Sequence, residues 1–381
     1  MSIDINKLTI KEAQEALRSG DFSAVELAES TIAIAKRENP TINAYAEIFS
    51  DALLTAQKAD QVLAKGDATA LTGIPVAIKD NMLYEGHEST SGSKILRGHV
   101  ATYSGTAIEK LMNQHAVIVG RTNMDEFAMG SSSETCAYGA VKNPIDITRI
   151  PGGSSGGSAA ALGMNGALGT YGSDTGGSIR QPASLTGLVG LKPTYGAVSR
   201  SGLMALASSL DQIGPFAKTV TDAEILFQAI SGYDPMDSTS VPIDHVLRAP
   251  RPKKEKLTIG VPESFIAMDG IDDDVRENFK HSITELKNMG HRVVDVSLPA
   301  LPKALAVYYI IQPAEASANL ARFDGIRYGF SKDAERLIDV YRQSRGEGFG
   351  KEARRRILLG TYVLSTGYYD AYYNKAVAVR R

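Results

Sequence analysis

The chain has a single cysteine, Cys136, among its 381 residues. An intrachain disulfide is therefore excluded, and such low cysteine usage is typical of a reducing compartment. No apolar run reaches the roughly 18 residues that a membrane-spanning helix needs. The opening text, MSIDINKLTIKEAQEAL, lacks the basic and apolar regions of a secretory signal. We therefore expect a cytoplasmic protein.

An excess of charge is also lacking. Lys and Arg number 41 and Asp and Glu 43, which gives a net charge of −2. No overall electrostatic field therefore favours nucleic acid or an anionic membrane. The six histidines are scattered and have no ligand spacing with the one cysteine, which argues against a metal site. With 43% apolar and 22% charged residues, the composition is that of an ordinary globular enzyme.

The hydrophobic pattern predicts an α/β protein. We divide it as a single domain with a helical part at 1–70, a core at 71–245 and a second α/β part at 246–381. In the first part the second of three helices is expected to end before Pro40. Strands are predicted at 73–78, 116–120, 187–191, 257–261 and 293–296, of which 73–78 and 187–191 are expected to be buried. Helices are predicted at 107–115 and 272–289, with a mostly helical segment from 303 onward. Residues 245–256 are rich in proline and charge, which indicates a surface connection.

Glycine is concentrated in one stretch, PGGSSGGSAAALGMNGALGTYGSDTGGSIRQP, at 151–182. Glycine marks backbone that turns with positive φ or comes close to another segment. Two clusters, at 152–158 and 175–178, each open a predicted short helix. Helix N-termini favour a developing anion, so the stretch predicts a site for oxyanion chemistry.

Three known motifs fit this stretch incompletely. A P-loop needs a lysine after its last glycine, and residues 152–158 have none. Residues 153–157 match a nucleophile elbow centred on Ser155, but this motif needs a catalytic histidine downstream. The histidines there are in poor positions for catalysis: His245, His281 and His291. Residues 174–176 resemble an aspartic-protease signature that has no second copy.

Lysine is the usual substitute when a serine nucleophile has no histidine base. Lys79 is the candidate, because it stands at the end of the predicted strand 73–78. To act as a base near neutral pH, its pKa must fall from about 10.4 to near 7. Burial at the end of an apolar strand acts in that direction.

Three segments in order, GIPVAIKDN, PGGSSGGSAAA and GSDTGGSIRQPA, resemble the amidase signature family, whose members use a Ser–cis-Ser–Lys triad. Position by position, Ser178 corresponds to the nucleophile, Ser154 to the bridging serine and Lys79 to the base. The resemblance implies a central mixed β-sheet covered by helices on both faces, after a helical N-terminal segment. It also implies an oxyanion hole formed by the backbone N–H groups of four residues: Thr175, Gly176, Gly177 and Ser178. Whether the bond between residues 153 and 154 is cis cannot be derived from the sequence.

Further text, including DEFAMGSSSETCAYGAVKNP and RRILLGTYVLSTGYYDAYY, most resembles the amidotransferase branch of the family, whose members hydrolyse glutamine. This implies a glutamine pocket at Met129 and Gly130, with Tyr308 and Arg356 reaching the amino acid. It implies that ammonia passes to partner B and C subunits, which amidate Glu-tRNA(Gln) or Asp-tRNA(Asn). ATP and magnesium are expected at the partner, and no cofactor in this chain. Family members continue past Arg381, and an acidic residue that binds the α-amino group of glutamine is expected there.

Structural interpretations of the same residues remain open. The serines also suit helix caps, Lys79 a solvated strand end, and Tyr308 and Arg356 a core aromatic and a solvated helix position. We expect Cys136 to be inert, the pair at 125–126 to be a hydrogen-bonded loop, and Asp174 to form an ion pair with Arg180. Two other functions are also open: a free-standing amidase for small amides and an inactive interaction protein.

Overall fold

The computed structural model of the chain describes residues 3–242 and 256–381. Of the predicted connection at 245–256, only Lys256 lies within the described residues, and His245 lies outside them. Three helices open the chain: α1 Ile10–Ser19, α2 Ala24–Ile42 and α3 Ala52–Lys65. Thr9 and Ser23 start α1 and α2 with capping boxes, which satisfy N–H groups that have no partner within a helix.

Helix α2 continues through Pro40, so the prediction that it ends before this residue is wrong. Proline removes one backbone donor, and close to the end of a helix this costs a single hydrogen bond. The helix ends instead at Asn43, which takes the left-handed conformation and donates its N–H to the carbonyl of Asn39. A short strand then follows that the sequence pattern did not reveal.

A six-stranded mixed sheet forms the centre of the molecule. Its strands are β1 Tyr45–Ile48, β2 Pro75–Lys79, β3 Val117–Thr122, β4 Gly169–Asp174, β5 Val189–Gly190 and β6 Gln212–Ala217, in the order β1-β3-β2-β4-β6-β5. The three central strands β3, β2 and β4 are parallel, and the outer pairings are antiparallel. The predicted buried strand at 187–191 is only two residues long and half-buried.

Helices cover this sheet, and this mixed α/β architecture confirms the predicted fold class. The remaining helices of the first part are α4 Thr106–Asn113, α5 Gly156–Gly163, α6 Arg180–Leu185 and α7 Val220–Ile230. A large apolar cluster packs the helices α1, α2, α3, α4 and α7 against the strands. It includes Leu27, Val76 and Leu226. A smaller cluster joins α5 and α6 to Phe216 of β6.

The second part begins with a parallel β-α-β unit, in which β7 Thr258–Val261 pairs with β8 Arg292–Asp295. Its helices are α8 Glu263–Ile266, α9 Asp273–Asn288, α10 Ala304–Asn319, α11 Leu337–Gly348, α12 Lys351–Val363 and α13 Lys375–Arg380, with a π-helix at Tyr369–Asn374 before the last. Short 3-10 turns lie at Lys94–Leu96, Glu126–Ala128, Leu301–Lys303 and Leu320–Arg322. An apolar cluster that includes Phe127, Leu320 and Phe349 packs this part against the first. No helix in the described ranges has the length and apolar character needed to cross a membrane.

The pairing of β2 with β4 determines where the site lies. Ile78 of β2 is in register with Tyr171 of β4, so Lys79 and Ser173 emerge at the same edge of the sheet. Because both strands are parallel and central, this edge collects the loops that follow their carboxyl ends. The two glycine-rich clusters lie at this edge.

Candidate active site

Among the described residues, Lys79 is the largest charged side chain with no exposed surface, at 0% exposure. Burial lowers the pKa of this amine from 10.5 to about 7, because an ammonium loses its hydration inside the fold. Three carboxylates, those of Asp125, Asp174 and Asp211, act in the opposite direction and are outweighed. The alternative of a solvated lysine is therefore wrong, and a neutral amine is accessible near neutral pH.

Three serine hydroxyls surround the amine. Nζ of Lys79 lies 2.8 Å from Oγ of Ser154, 2.8 Å from Oγ of Ser155 and 2.9 Å from Oγ of Ser173. Ser155 donates its hydroxyl hydrogen to the carbonyl of Ser173 at 3.1 Å, and Asn81 donates to Oγ of Ser173 at 3.0 Å. Within the described residues, Oγ of Ser154 has no hydrogen-bond partner other than Lys79.

The helix-cap interpretation of these serines fails. Ser155 stands at the N-cap position of α5, but its side chain makes no cap hydrogen bond, because it is engaged with Lys79 and Ser173. The N-cap of α6 is Ile179, one residue after Ser178. The peptide bond between Gly153 and Ser154 is cis, which the sequence left open.

Ser178 lies at the opening of the site and is 8% exposed. Its carbonyl accepts a hydrogen bond from the N–H of Ser155 at 3.3 Å, which joins the two glycine-rich clusters. No hydrogen bond joins the hydroxyls of Ser178 and Ser154 in the described part of the chain. The structure thus brings Lys79 and Ser154 into contact and places Ser178 beside them, at the wall of the cleft.

The loop at 174–178 holds its N–H groups in two different ways. Gly177 donates its N–H to Oδ1 of Asp174 at 2.7 Å, so it is already occupied and the prediction that it belongs to an oxyanion hole is revised. The N–H groups of Thr175, Gly176 and Ser178 donate to no acceptor among the described residues. These three donors remain available to an anion beside Ser178.

Asp174 organises this loop. Its carboxylate also accepts the N–H of Ile179 at 3.1 Å and two hydrogen bonds from the guanidinium of Arg180, at 3.0 and 2.9 Å. Although burial acts to raise it, these donors hold the pKa of Asp174 below its usual value. The predicted ion pair is confirmed.

A cleft of about 530 Å³ opens in front of Ser178. Its walls come from both glycine-rich clusters and from the second part of the chain: Gly130, Ser131, Gly153, Gly176, Gly177, Ser178, Gln181, Phe265, Leu301, Ala304, Leu305, Tyr308, Tyr309 and Arg356. The predicted residues Gly130, Tyr308 and Arg356 are among them. Met129 is not, because its side chain is 1% exposed and packs in the apolar cluster with Phe127 and Phe349.

Arg356 is 7% exposed, so the alternative of a solvated helix position is wrong for it, whereas Arg354 and Arg355 do face solvent. Its Nε donates to Glu352 at 2.7 Å and its Nη1 to Gln312 at 2.5 Å. The guanidinium also lies beside Tyr308 and over the ring of Tyr309 at the cleft wall. A guanidinium held in this way suits a carboxylate.

Tyr308 covers the loop at Gly176, where a β-carbon would lie 2.8 Å from its ring. It is therefore a wall of the cleft and not a core aromatic. A side chain at position 176 would therefore require the Tyr308 ring to move.

Several side chains at the site were not recognised in the sequence. Ser173 contacts Lys79, and Asn81 and Asp211 support the surrounding groups. In the sequence, the apolar run at 167–171 was the signal for a second strand. Its parallel pairing with the strand 73–78 places Ser173 beside Lys79. Asp211 directly precedes β6, a strand that the sequence pattern did not reveal.

Two further expectations, for the loop at 125–126 and for Cys136, hold. Asp125 accepts hydrogen bonds from Ser133 and Thr135, and Glu126 accepts them from Ser93 and Gly350, so the pair forms a bonded loop. Burial raises the pKa of Cys136 to about 12, which makes its thiol inert. Within residues 3–242 and 256–381, no three His, Cys, Asp or Glu side chains are grouped as metal ligands.

A buried lysine beside serine hydroxyls, with free backbone donors at the edge of a mixed sheet, is the chemistry of an amidase. The chain belongs to the amidase family, whose model matches residues 26–381. It is 52% identical over 379 residues to the A subunit of the glutamyl-tRNA(Gln) amidotransferase of Desulfatibacillum aliphaticivorans, covering 99% of this chain and 78% of that protein. The corresponding protein of Thermoanaerobacter pseudethanolicus is 52% identical over 382 residues, with the same shares covered.

Solved structures agree with this assignment. The A subunit of the glutamyl-tRNA(Gln) amidotransferase of Thermotoga maritima superposes with a TM-score of 0.76 at 39% identity, over 100% of this chain and 76% of that one. A peptide amidase from Stenotrophomonas maltophilia superposes with a TM-score of 0.81 at 25% identity, over 97% of this chain and 78% of that one. The protein is therefore an enzyme of the amidase family.

Proposed function

We propose that this chain hydrolyses the side-chain amide of glutamine through an acyl ester on Ser178, as the ammonia-producing component of a tRNA-dependent amidotransferase. The observation that carries the chemistry is the 2.8 Å contact between the buried amine of Lys79 and Oγ of Ser154. The choice of glutamine rests on the identity of 52% along 99% of the chain to an amidotransferase protein of this family.

In the first step, neutral Lys79 takes the hydroxyl proton of Ser154, and Ser154 takes the proton of Ser178. Oγ of Ser178 then attacks the amide carbon, and the carbonyl oxygen becomes an oxyanion. A rotation of the Ser178 hydroxyl toward Ser154 completes the relay when substrate fills the cleft, since catalytic hydrogen bonds often tighten only in the complex.

The oxyanion is stabilised by the free N–H groups of Thr175, Gly176 and Ser178. The same relay runs in reverse to protonate the departing nitrogen, so the C–N bond breaks and ammonia leaves. Water then attacks the ester with Lys79 and Ser154 again as the base, which releases glutamate and restores Ser178. Arg356 binds the α-carboxylate of glutamine, and Tyr308 and Gly130 form the walls beside it.

We further propose that the ammonia is used by partner B and C subunits to amidate Glu-tRNA(Gln), and that any use of Asp-tRNA(Asn) is decided at the partner. ATP and magnesium act at the partner in this scheme, and the assembly is a cytoplasmic heterotrimer. Coexpression with B and C subunits and purification through a tag on this chain tests that assembly.

The catalytic proposal is tested with glutamine and the purified chain, alone and with its partners, by measuring glutamate and ammonia. Ser178→Ala is expected to lower kcat at least about a thousandfold, because it removes the nucleophile. Ser132→Ala is the matched control, because its half-buried side chain lies outside the cleft wall. Full activity in Ser178→Ala would refute the assignment of the nucleophile. A wild-type chain that releases ammonia from other small amides and not from glutamine would point to a free-standing amidase.

A further inference from the structure

Asp211 is buried, at 2% exposure, and lies just before β6, outside the proposed triad. Its carboxylate accepts a hydrogen bond from Oγ1 of Thr175 at 2.5 Å. It also accepts the N–H groups of Leu206 at 2.8 Å and Ala207 at 3.0 Å. The carboxylate of Asp211 therefore fixes its own loop, at 206–211. It also fixes Thr175 in the loop at 174–178, which carries the free N–H donors and is called the oxyanion loop below.

The loop at 206–211 is in turn fixed to α10. Ser209 donates its N–H and its hydroxyl to the two carboxylate oxygens of Glu315, at 2.9 and 2.5 Å. Asn319, one turn further along α10, donates to the carbonyl of Leu206 at 3.3 Å. The same helix carries Tyr308, whose ring lies against Gly176. Helix α10 therefore supports two neighbouring residues of the oxyanion loop. It supports Thr175 through the loop at 206–211 and Gly176 through the ring of Tyr308.

We propose that Asp211 is a positioning residue, which fixes the N–H groups of the oxyanion loop through Thr175 and connects that loop to α10 through residues 206–211. The proposal rests on the proposed function in so far as Ser178 is the nucleophile. Asp211 does not touch the substrate. Its contribution is to the geometry of donors that act only when negative charge develops on the substrate oxygen.

Thr175→Val and Thr175→Ser form the decisive pair of variants. Valine has the shape of threonine without the hydroxyl, whereas serine retains the hydrogen bond to Asp211. We expect Thr175→Val and Asp211→Asn each to lower kcat for glutamine roughly 10- to 100-fold, with KM changed less than about threefold. Thr175→Ser is expected to stay within about threefold of the wild type. The double variant is expected to be no slower than the slower single variant, since Thr175 and Asp211 act on the loop through the same hydrogen bond.

A readout independent of glutamine separates this inference from the proposed substrate. A fluorophosphonate probe reacts with an activated serine, as Oγ displaces fluoride from phosphorus, and its phosphoryl oxygen needs the same donors. The rate of labelling at Ser178, followed by mass spectrometry, is expected to fall in Thr175→Val and not in Thr175→Ser. If the wild type is labelled but does not hydrolyse glutamine, the proposed substrate is wrong and the labelling rates still test Asp211. Labelling of Thr175→Val at the wild-type rate, or multiplicative losses in the double variant, would overturn the inference. If Asp211→Asn does not fold, the Thr175 pair decides alone.

Discussion

At the scale of the residue, the chemistry depends on a competition between burial and charge at Lys79. Burial removes the hydration of the ammonium and lowers its pKa, while three buried carboxylates favour the charged form. Desolvation is the larger effect, and the pKa falls from 10.5 to about 7. Such a balance makes the amine neutral in a large fraction of molecules at neutral pH, as a general base requires.

This balance predicts how activity depends on pH. Because the neutral amine is the active form, kcat/KM for glutamine is expected to rise with pH and to level off above about 7. Below this pKa, the rate should fall about tenfold for each pH unit, in proportion to the neutral fraction. Initial rates measured between about pH 5.5 and 8.5 test the prediction, with Ser132→Ala expected to show the same midpoint. A flat profile over that range would mean that Lys79 is not the group that titrates.

At the scale of the element, the loop at 174–180 is shaped by one carboxylate. Asp174 accepts backbone N–H groups from Gly177 and Ile179, so the loop does not depend on a regular helix to hold it. Arg180 adds charge from outside, with 53% of its side chain exposed. Asp174 is therefore expected to contribute more than Arg180 to the stability of the loop.

Asp174→Ala is expected to destabilise the protein by about 2–4 kcal/mol, because buried N–H groups lose their acceptor. It should also lower kcat strongly, since the loop carries the oxyanion donors. Arg180→Ala is expected to cost about 1 kcal/mol, because its exposed charge is screened and the backbone hydrogen bonds remain. Thermal or denaturant unfolding of the two variants measures this difference. Equal losses of stability would show that the ion pair, and not the backbone contacts, holds the loop.

At the scale of the whole molecule, the cleft exists because the second part of the chain packs on the first. Glu126 in the first part accepts the N–H of Gly350, the N-cap of α12, at 2.9 Å from each carboxylate oxygen. Arg356 follows less than two turns later on α12. The position of the guanidinium in the cleft is therefore linked to a contact at the start of its own helix.

Glu126→Ala is expected to raise KM for glutamine roughly three- to tenfold with a smaller effect on kcat, because Arg356 shifts while the triad does not. Stability should fall by about 2 kcal/mol, since buried donors lose their acceptor. The dissociation constant of glutamine, measured in a Ser178→Ala background, gives the change in glutamine affinity without turnover. Glu134→Ala, an exposed carboxylate in the same loop, is the matched control. An unchanged KM in Glu126→Ala would show that the contact between Glu126 and the start of α12 does not affect substrate binding.

The sequence predicted most helices and two of the three central strands, β2 and β3, because their apolar spacing and their glycine and serine caps are local signals. It did not reveal β1, β4 or β6, and it predicted a full strand where β5 has two residues. Short strands lack a distinct period, and their pairing is decided by neighbours far away in the chain. Met129 was assigned to the cleft by the family resemblance, but its side chain is buried in the apolar core.

By itself, the sequence determined the chemical groups of the site: the glycine-rich clusters, their serines, and a lysine at the end of an apolar strand. These are properties of composition and order, which each segment carries without the rest of the fold. Only the tertiary structure decided the contacts between Lys79, Ser154 and Ser173, the occupied N–H of Gly177 and the support from Asp211. Such contacts join residues between 3 and 94 positions apart. Burial and hydrogen-bond geometry arise only when the strands pair and the helices cover them, so the pKa of the lysine is a property of the folded chain.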